Sequence, residues 1–162
     1  MFDNIKKLKE NEKLKNSLAI IIAGILGIVF FLFIYGFDKL NVTNENWLLN
    51  GGDLSQHYIG WKFFRQSKWN WKIGIMNNIN YPYNASIIFT DSIPLFAIIF
   101  KAFSKFLPDT FQYFGIYGLI TFMLQGIFSY LLVYRFVKDR KYSIIASIFF
   151  ILSPTIIQRE YS

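Results

Sequence analysis

The stretch from Gly51 to Trp61 contains the residues whose types and spacing best fit chemistry: Asp53, His57 (the only histidine) and a pair of glycines. Because His57 follows Asp53 by four residues, a helix would place both side chains on one face. A carboxylate near a hydroxyl can take its proton as a new bond forms, and an imidazole can bind phosphate or a metal ion. The spacing makes Asp53 a candidate general base or metal ligand, and His57 a candidate for binding phosphate or a metal ion.

Asp53 also fits a purely structural role. It precedes a helical pattern, and Gln56 follows three residues later, as in a capping box that satisfies the free N–H groups of a first helical turn. Histidine is likewise a common residue at membrane interfaces, since it presents an apolar body and a polar tip. Both interpretations stay open, and one carboxylate can serve both purposes.

Asp91 is a second carboxylate close to a predicted helix start. It could converge with Asp53 on one cation, and hard oxygen ligands suit Mg²⁺ or Mn²⁺. The alternative is an N-cap ahead of Pro94, which favours the first turn of a helix. Asp91 is therefore a candidate for substrate binding and, together with Asp53, a tentative metal ligand.

The aromatic and arginine side chains give further binding candidates. Tyr81 could stack on a sugar face, although aromatic residues in this segment also fit an interfacial belt, as do Tyr83, Trp61, Trp69 and Trp71. Arginine can grip a phosphate group with two parallel hydrogen bonds. Arg159, after a Ser-Pro break, is the favoured arginine; Arg65 fits better as a residue that extends toward the membrane surface.

The composition indicates a membrane protein. Of 162 residues, 54% are hydrophobic and 17% are charged, whereas soluble domains average about 45–50% and about 25%. The net charge is +7, but the lysines cluster at the ends of apolar runs, where the positive-inside rule explains them better than nucleic-acid binding. The absence of cysteine excludes disulfides and thiolate metal sites.

Three uncharged runs predict three transmembrane helices. The first, 16–37, is long enough to cross the hydrocarbon core, which needs about 20 apolar residues, and is too long for a cleaved signal peptide. The second is 110–134, and the third, 142–158, contains Ser153-Pro154 near its end. The lysine-rich segment 1–15 places the N-terminus in the cytoplasm of a multi-pass protein of the cell membrane.

The loops position the candidate site outside the cell. Residues 38–109 form a large external loop with two juxtamembrane helices, about 54–67 and 92–107. The second of these, interrupted by lysines, could instead cross the membrane. The loop 135–141 carries four cations against one acid, so the positive-inside rule makes it cytoplasmic and favours the juxtamembrane interpretation. Residues 159–162 begin a second external loop.

Several short motifs, in this order, resemble the N-terminal part of a bacterial GT-C-type multi-spanning membrane glycosyltransferase. The motifs are Gly52-Asp53-Leu54-Ser55-Gln56-His57-Tyr58, Tyr81-Pro82-Tyr83, Asp91-Ser92-Ile93-Pro94-Leu95, and Leu152-Ser153-Pro154 with Arg159. The resemblance covers nearly the whole chain but only the first part of the usual length of that family. It implies an incomplete helical bundle, a fragment completed by a missing C-terminal portion or a partner chain.

The resemblance implies a lipid-linked donor, a polyprenyl-phosphate sugar, and transfer on the external membrane face. It also implies an acidic base or metal ligand early in the first external loop, which is the position of Asp53. Here Asp53 is followed by Leu54 rather than by a second acid, which leaves dependence on Mg or Mn open. In this hypothesis Asp91 orients the lipid phosphate and Arg159 neutralises it.

The sequence therefore predicts an all-α integral membrane protein with three transmembrane and two juxtamembrane helices, and a glycosyltransferase-like function. Its expected partners are the lipid bilayer and the lipid-linked donor, with no nucleic acid. The alternative is a non-enzymatic integral membrane protein, such as part of a transporter or flippase, or an assembly subunit. Substitution of Asp53 discriminates the two.

Overall fold

The computed structural model describes residues 2–159 and, of their side chains, those from Glu10 to Thr155 and that of Ile157. The chain is mostly helical, as the sequence predicts. It divides into two compact units. The first comprises the chain up to Asp38 together with the chain from Phe114 onward, and the second runs from Lys39 to Tyr113.

The elements follow one another in the order α1 (Phe2–Tyr35), α2 (Gly52–Gln66), β1 (Ile75–Met76), β2 (Ala85–Ser86), α3 (Pro94–Ala102), α4 (Phe114–Val137), α5 (Arg140–Ile151) and α6 (Pro154–Arg159). Short 3₁₀ turns occupy Asp38–Leu40, Asn46–Leu48, Ile87–Thr90 and Ser104–Phe106.

Helix α1 continues from the lysine-rich segment into the first apolar run without a break. It ends where Gly36 adopts a φ of 77° and donates its N–H to the carbonyl of Leu32. A glycine in this left-handed conformation is a common helix terminator, because it has no Cβ to strain the backbone. The predicted first span, 16–37, is therefore the C-terminal two thirds of one long helix.

Helix α4 packs against α1 through small residues. A Cβ added at Gly27 of α1 would lie 2.1 Å from the carbonyl oxygen of Phe122, and one added at Gly126 of α4 would lie 2.2 Å from that of Ala23. Ala19, Ala23 and Gly27 recur at intervals of four residues and share one face of α1. Small residues at this spacing let apolar helices approach backbone to backbone, a signal that the sequence analysis did not use.

Two described helices are long and apolar enough to cross a membrane: the Glu10–Tyr35 part of α1, and α4. Only 28% of the most apolar stretch of each is buried inside the protein. Helix α4 begins at Phe114, four residues later than predicted. The preceding residues belong to the second unit instead, where Gln112 donates its N–H to the carbonyl of Val42 over 2.7 Å.

The predicted third span, 142–158, is divided between two helices. Asp139 begins α5 by accepting hydrogen bonds from the N–H groups of Lys141 and Tyr142, so α5 starts two residues before the predicted span. It ends at Ile151, and α6 begins with Pro154 at its first position. Proline has no N–H to continue the hydrogen-bond ladder, which explains the break.

The second unit has an aromatic core. Tyr58, Trp61 and Phe64, at helical spacing on α2, are fully buried, and the Trp61 ring lies 5.1 Å from that of Tyr113. The Trp61 indole N–H donates to the carbonyl of Phe111 over 3.0 Å. The sequence predicted the helix correctly, but its interpretation of Trp61 as part of an interfacial belt is wrong, since the indole is 0% exposed.

A two-stranded antiparallel ribbon follows α2. In it Ile75 pairs with Ser86, and Met76 with Ala85. The ribbon encloses the predicted Tyr81–Asn84 turn, in which the Tyr81–Pro82 peptide is cis. Strands of two residues leave no periodic pattern in a sequence, so this ribbon was not predicted.

Candidate functional site

The turn before α2 is held by Ser55. Gly51 and Gly52 adopt φ values of 100° and 72°, which residues with a Cβ rarely reach. The Ser55 hydroxyl accepts a hydrogen bond from the Gly51 N–H (2.9 Å) and donates to the carbonyl of Leu48 (2.8 Å). Ser55 therefore fixes the start of α2, a role that the sequence analysis did not assign.

Asp53 lies in the first turn of α2 and is exposed. The N-cap residue is Gly51, and no side chain caps the helix, so the capping box predicted for Asp53 and Gln56 does not form. A carboxylate in the first turn is still favoured by the partial positive charge of the helix N-terminus. The structure thus supports the interpretation in which the carboxylate oxygens of Asp53 are accessible to another molecule.

His57 is half-buried, and its ring is oriented by a neighbouring segment. Its Nδ1 lies 2.9 Å from the carbonyl oxygen of Thr90. Because a carbonyl only accepts, Nδ1 carries the hydrogen, and Nε2 is the ring nitrogen left for a further partner. A hydrogen bond of this kind fixes the tautomer, as is typical of histidines that bind ligands or metals.

The segment Thr90–Ser92 is docked tightly on α2. The Ser92 hydroxyl donates to the carbonyl of His57, and the buried Tyr113 hydroxyl donates to the carbonyl of Ser92. A Cβ added at Gly60 would lie 2.3 Å from the Thr90 side chain, so this approach requires glycine. Burial raises the pKa of Tyr113, which therefore keeps its donated proton at any physiological pH.

Asp91 lies between the two residues that contact His57. It is exposed, adopts a φ of 49° and ends the 3₁₀ turn. The N-cap of α3 is Ile93, so Asp91 does not cap that helix as its alternative interpretation required. The second unit therefore carries Asp53, His57 and Asp91 on two segments joined by the Thr90 and Ser92 hydrogen bonds.

Helix α2 is anchored to the loop before it by a polar cluster. The Tyr58 hydroxyl donates to the carboxylate of Glu45, and the Lys62 ammonium lies 3.6 Å from the same carboxylate. The pKa of Tyr58 is raised chiefly by burial. The hydrogen bond to Glu45 and the negative charge of that carboxylate raise it further. The sequence analysis missed this cluster. It is structural because the Lys62 ammonium and the Tyr58 hydroxyl both bind groups within the protein.

Arg65 has a structural role. Its guanidinium donates hydrogen bonds to four backbone carbonyls, 2.6 to 3.3 Å away, of Ser104, Leu107, Pro108 and Asp109. These carbonyls lie in the 3₁₀ turn after α3 and in the loop that follows it. Arg65 therefore ties α2 to the end of the α3 segment, and neither phosphate binding nor extension toward a membrane surface explains it.

The structure does not join Tyr81 to Asp53 and His57, and it does not describe the side chain of Arg159. Tyr81 is 90% exposed in the ribbon turn, and none of the contacts seen among the described residues joins it to Asp53, His57 or Asp91. The side chain of Arg159, at the end of α6, lies outside the described part, as do residues 160–162. The described side chains contain no group of three or more His, Asp or Glu close enough to hold a metal ion.

Comparison with known proteins identifies a family without an assigned function. Residues 24–162 match the family described as a domain of unknown function (DUF6311). No curated protein and no solved structure gives a match. The matched region contains Asp53, His57 and Asp91, so the candidate site lies inside the part of the chain that the family shares.

Proposed function

The chain belongs to this family, and we propose that it carries the external loop of a GT-C-type membrane glycosyltransferase. The reaction is transfer of a sugar from a polyprenyl-phosphate donor to an acceptor hydroxyl on the external face. The observation that carries the proposal is the exposed carboxylate of Asp53, held on a well-packed helix and unused in capping.

Placement in a membrane is supported by the surfaces of α1 and α4. Both are long and apolar enough to cross, and most of each apolar stretch is uncovered by protein. A core helix of a soluble protein would be buried instead. Close packing at Gly27 and Gly126 is the kind of contact by which apolar helices associate in lipid, where hydrophobic exclusion from water gives no driving force.

The proposed orientation follows the basic residues. The lysines before Asn16 lie in the N-terminal part of α1, and the cations at Arg135–Lys141 lie at the end of α4 and the start of α5. The positive-inside rule favours the cytoplasmic side for both groups. The second unit, between those helices in sequence, is then external. Asp53, His57 and Asp91 meet the donor on that side.

A third crossing by α5 and α6 is part of the proposal. The 12 residues of α5 rise about 18 Å and the 6 residues of α6 about 9 Å, and together they approach the hydrocarbon thickness of about 30 Å. The hydroxyls of Ser143 and Ser147 donate to the carbonyls of Asp139 and Ile144. Polar groups satisfied inside the helix in this way are tolerated in lipid.

In the proposed reaction Asp53 accepts the proton of the acceptor hydroxyl. The hydroxyl oxygen forms a bond to the anomeric carbon as the bond from that carbon to the phosphate oxygen breaks, and polyprenyl phosphate leaves with the electron pair. When protonated on both nitrogens, His57 donates from Nε2 to a phosphate oxygen, because Nδ1 is held by Thr90. Such stabilisation of the departing charge supplies much of the rate.

Asp91, on the segment that is hydrogen-bonded to His57, orients the lipid phosphate, with or without a bound cation. The exposed carboxylates of Asp53 and Asp91 fit the hard-oxygen donors preferred by Mg²⁺ or Mn²⁺, which binds through one or two carboxylates and substrate phosphates. When bound, such an ion would offset phosphate charge.

The test is an Asp53→Asn substitution in the protein expressed in its membrane. Amide in place of carboxylate removes the proton acceptor at nearly constant size, so release of polyprenyl phosphate from a radiolabelled donor should fall by about 100-fold or more. Asp109→Asn, which alters another exposed carboxylate of the same unit, is the matched control and should retain its rate.

Membrane insertion should be unchanged in both variants. The melting temperature of Asp53→Asn should fall only slightly, because Asp53 makes no capping bond and the variant loses only the attraction to the helix N-terminus. Equal rates of sugar transfer for wild type and Asp53→Asn would exclude the catalytic role. A non-enzymatic function, such as transport or assembly, would then account for the chain.

A further inference from the structure

A groove in the first unit lies where α1 passes the start of α5. It holds about 490 Å³, and at its polar end it is lined by Lys15, Arg140 and Lys141. The opposing carboxylates are largely engaged. Glu12 pairs with both Arg140 and Lys15, and Asp139 accepts hydrogen bonds from the first turn of α5. Cationic groups are therefore in excess at this end.

Two of these cations have donors left for a ligand. Among the described side chains, no carboxylate lies within ion-pair distance of the Lys141 ammonium. The Nε–H of Arg140 is buried and has no hydrogen-bond partner within the described part of the chain. A donor shielded from water without a partner is destabilising, so an acceptor oxygen bound there would satisfy it.

The rest of the groove is apolar. Leu18 and Ile22 of α1 and Ile144 of α5 form its walls, and the two α1 side chains are about half exposed although they are hydrophobic. Lys15 is the last charged residue before the uncharged part of α1. The groove thus changes from cationic to apolar at the level where a membrane changes from headgroups to acyl chains.

We propose that this groove binds an anionic phospholipid, with its phosphate at Lys15, Lys141 and the Arg140 Nε–H, and one acyl chain along Leu18, Ile22 and Ile144. Basic pockets between membrane helices on the cytoplasmic side are suited to such headgroups. The inference rests on the membrane placement of α1 within the proposed function, and it is independent of sugar transfer.

The test is native mass spectrometry of the whole chain released from detergent micelles, with phosphatidylglycerol or phosphatidylcholine added. Phosphatidylglycerol should bind more tightly than phosphatidylcholine. Lys15→Gln with Lys141→Gln should weaken phosphatidylglycerol binding by about 30-fold, since each cation contributes about 1 kcal/mol. The single variant Lys141→Gln has a matched control, Lys138→Gln, which removes the same single charge from the adjoining loop outside the groove.

If the double variant binds phosphatidylglycerol as tightly as wild type does, the proposed site is wrong. If Lys138→Gln loses as much affinity as Lys141→Gln, the lipid is attracted only by the net charge of the protein. Displacement of the lipid by glycerol phosphate at the same concentration would mean a phosphate site without an acyl chain. Asp53→Asn should bind the lipid normally, so failure of sugar transfer and failure of this site are separable.

Discussion

Asp53 and His57 differ in how the surrounding structure constrains them. The Asp53 carboxylate takes no part in capping, whereas the His57 ring is fixed through Nδ1 to the Thr90 carbonyl. An exposed carboxylate one helical turn from an oriented imidazole is compatible with the proposed proton transfer to Asp53. Ser55, not Asp53, stabilises the turn before α2, so that turn does not need the Asp53 carboxylate.

Lys101 is a lysine whose side chain is buried in the second unit. It is 4% exposed, donates to the Ser67 hydroxyl over 2.8 Å, and lies over the ring of Phe64 at 4.0 Å. Burial disfavours the ammonium and lowers its pKa from 10.5 to about 8. The cation–π contact offsets part of this desolvation. The sequence analysis treated Lys101 only as an interruption of an apolar run.

The contribution of Lys101 to the stability of the protein should therefore rise with pH between about pH 8 and pH 10.5. In this window the unfolded chain binds a proton at Lys101 that the folded chain has begun to lose, so the folded state gains as pH rises. Lys101→Met should flatten this slope and raise the melting temperature at pH 7. Thermal melts of wild type and variant in detergent measure both effects.

Lys105→Met is the matched control, since Lys105 is an exposed lysine four residues later. In this variant the melting temperature should rise with pH as it does in wild type. A slope in Lys101→Met that equals the wild-type slope would show that Lys101 titrates alike in the folded and unfolded states.

At the scale of elements, glycine positions determine which segments can pack closely together. Because Gly60 has no Cβ, Thr90 and Ser92 can pack against α2. Gly27 and Gly126 allow close packing of α4 against α1 in the same way. Hydrophobic periodicity predicts a helix but does not identify the side that another backbone will approach. This explains why the existence of α1, α2 and α4 was predictable while their contacts were not.

Gly27→Ala should destabilise the first unit by about 1–3 kcal/mol more than its helix propensity gains, because the new methyl meets the Phe122 backbone, which cannot rotate away. Unfolding of the detergent-solubilised protein by denaturant measures the change. Gly24→Ala is the control: its methyl would meet the flexible Ile127 side chain at 3.2 Å.

Both substitutions gain the same helix propensity, about 1 kcal/mol. The difference between their free energies of unfolding therefore reports the contact between α1 and α4. Gly24→Ala should be neutral or stabilising. If Gly27→Ala proves as stable as Gly24→Ala, the close approach of the two helices at Gly27 is wrong.

At the scale of the whole molecule, both units expose large hydrophobic side chains. The first unit exposes them along its long helices, and the second exposes residues such as Trp71 and Phe106 around an enclosed aromatic core. In the proposed topology Trp71 is external and Lys138 is cytoplasmic.

Single cysteines can test this topology cleanly, because the natural chain has none. With a membrane-impermeant maleimide on intact cells, Trp71→Cys should label at once, and Lys138→Cys only after permeabilisation. The unmodified chain should not label. Labelling of Lys138→Cys in intact cells would invert the proposed orientation.

The sequence by itself determined the helical class, the two long apolar helices, α2 and the identity of the carboxylates that are candidates for chemistry. These follow from local composition and spacing, because an uncharged run or a helical repeat constrains its own residues. The order of the predicted elements is also retained, although α4 starts later than predicted and the third run is broken at Pro154.

Only the tertiary structure decided what each face contacts. Trp61 and Tyr58 form an apolar helix face that suits lipid as well as a protein core, and only Phe111, Tyr113 and Glu45, distant in sequence, show that it is a core. Arg65 and His57 likewise acquire their roles from carbonyls at least 33 residues away. Such partners are non-local, and the residue types of one segment do not specify them.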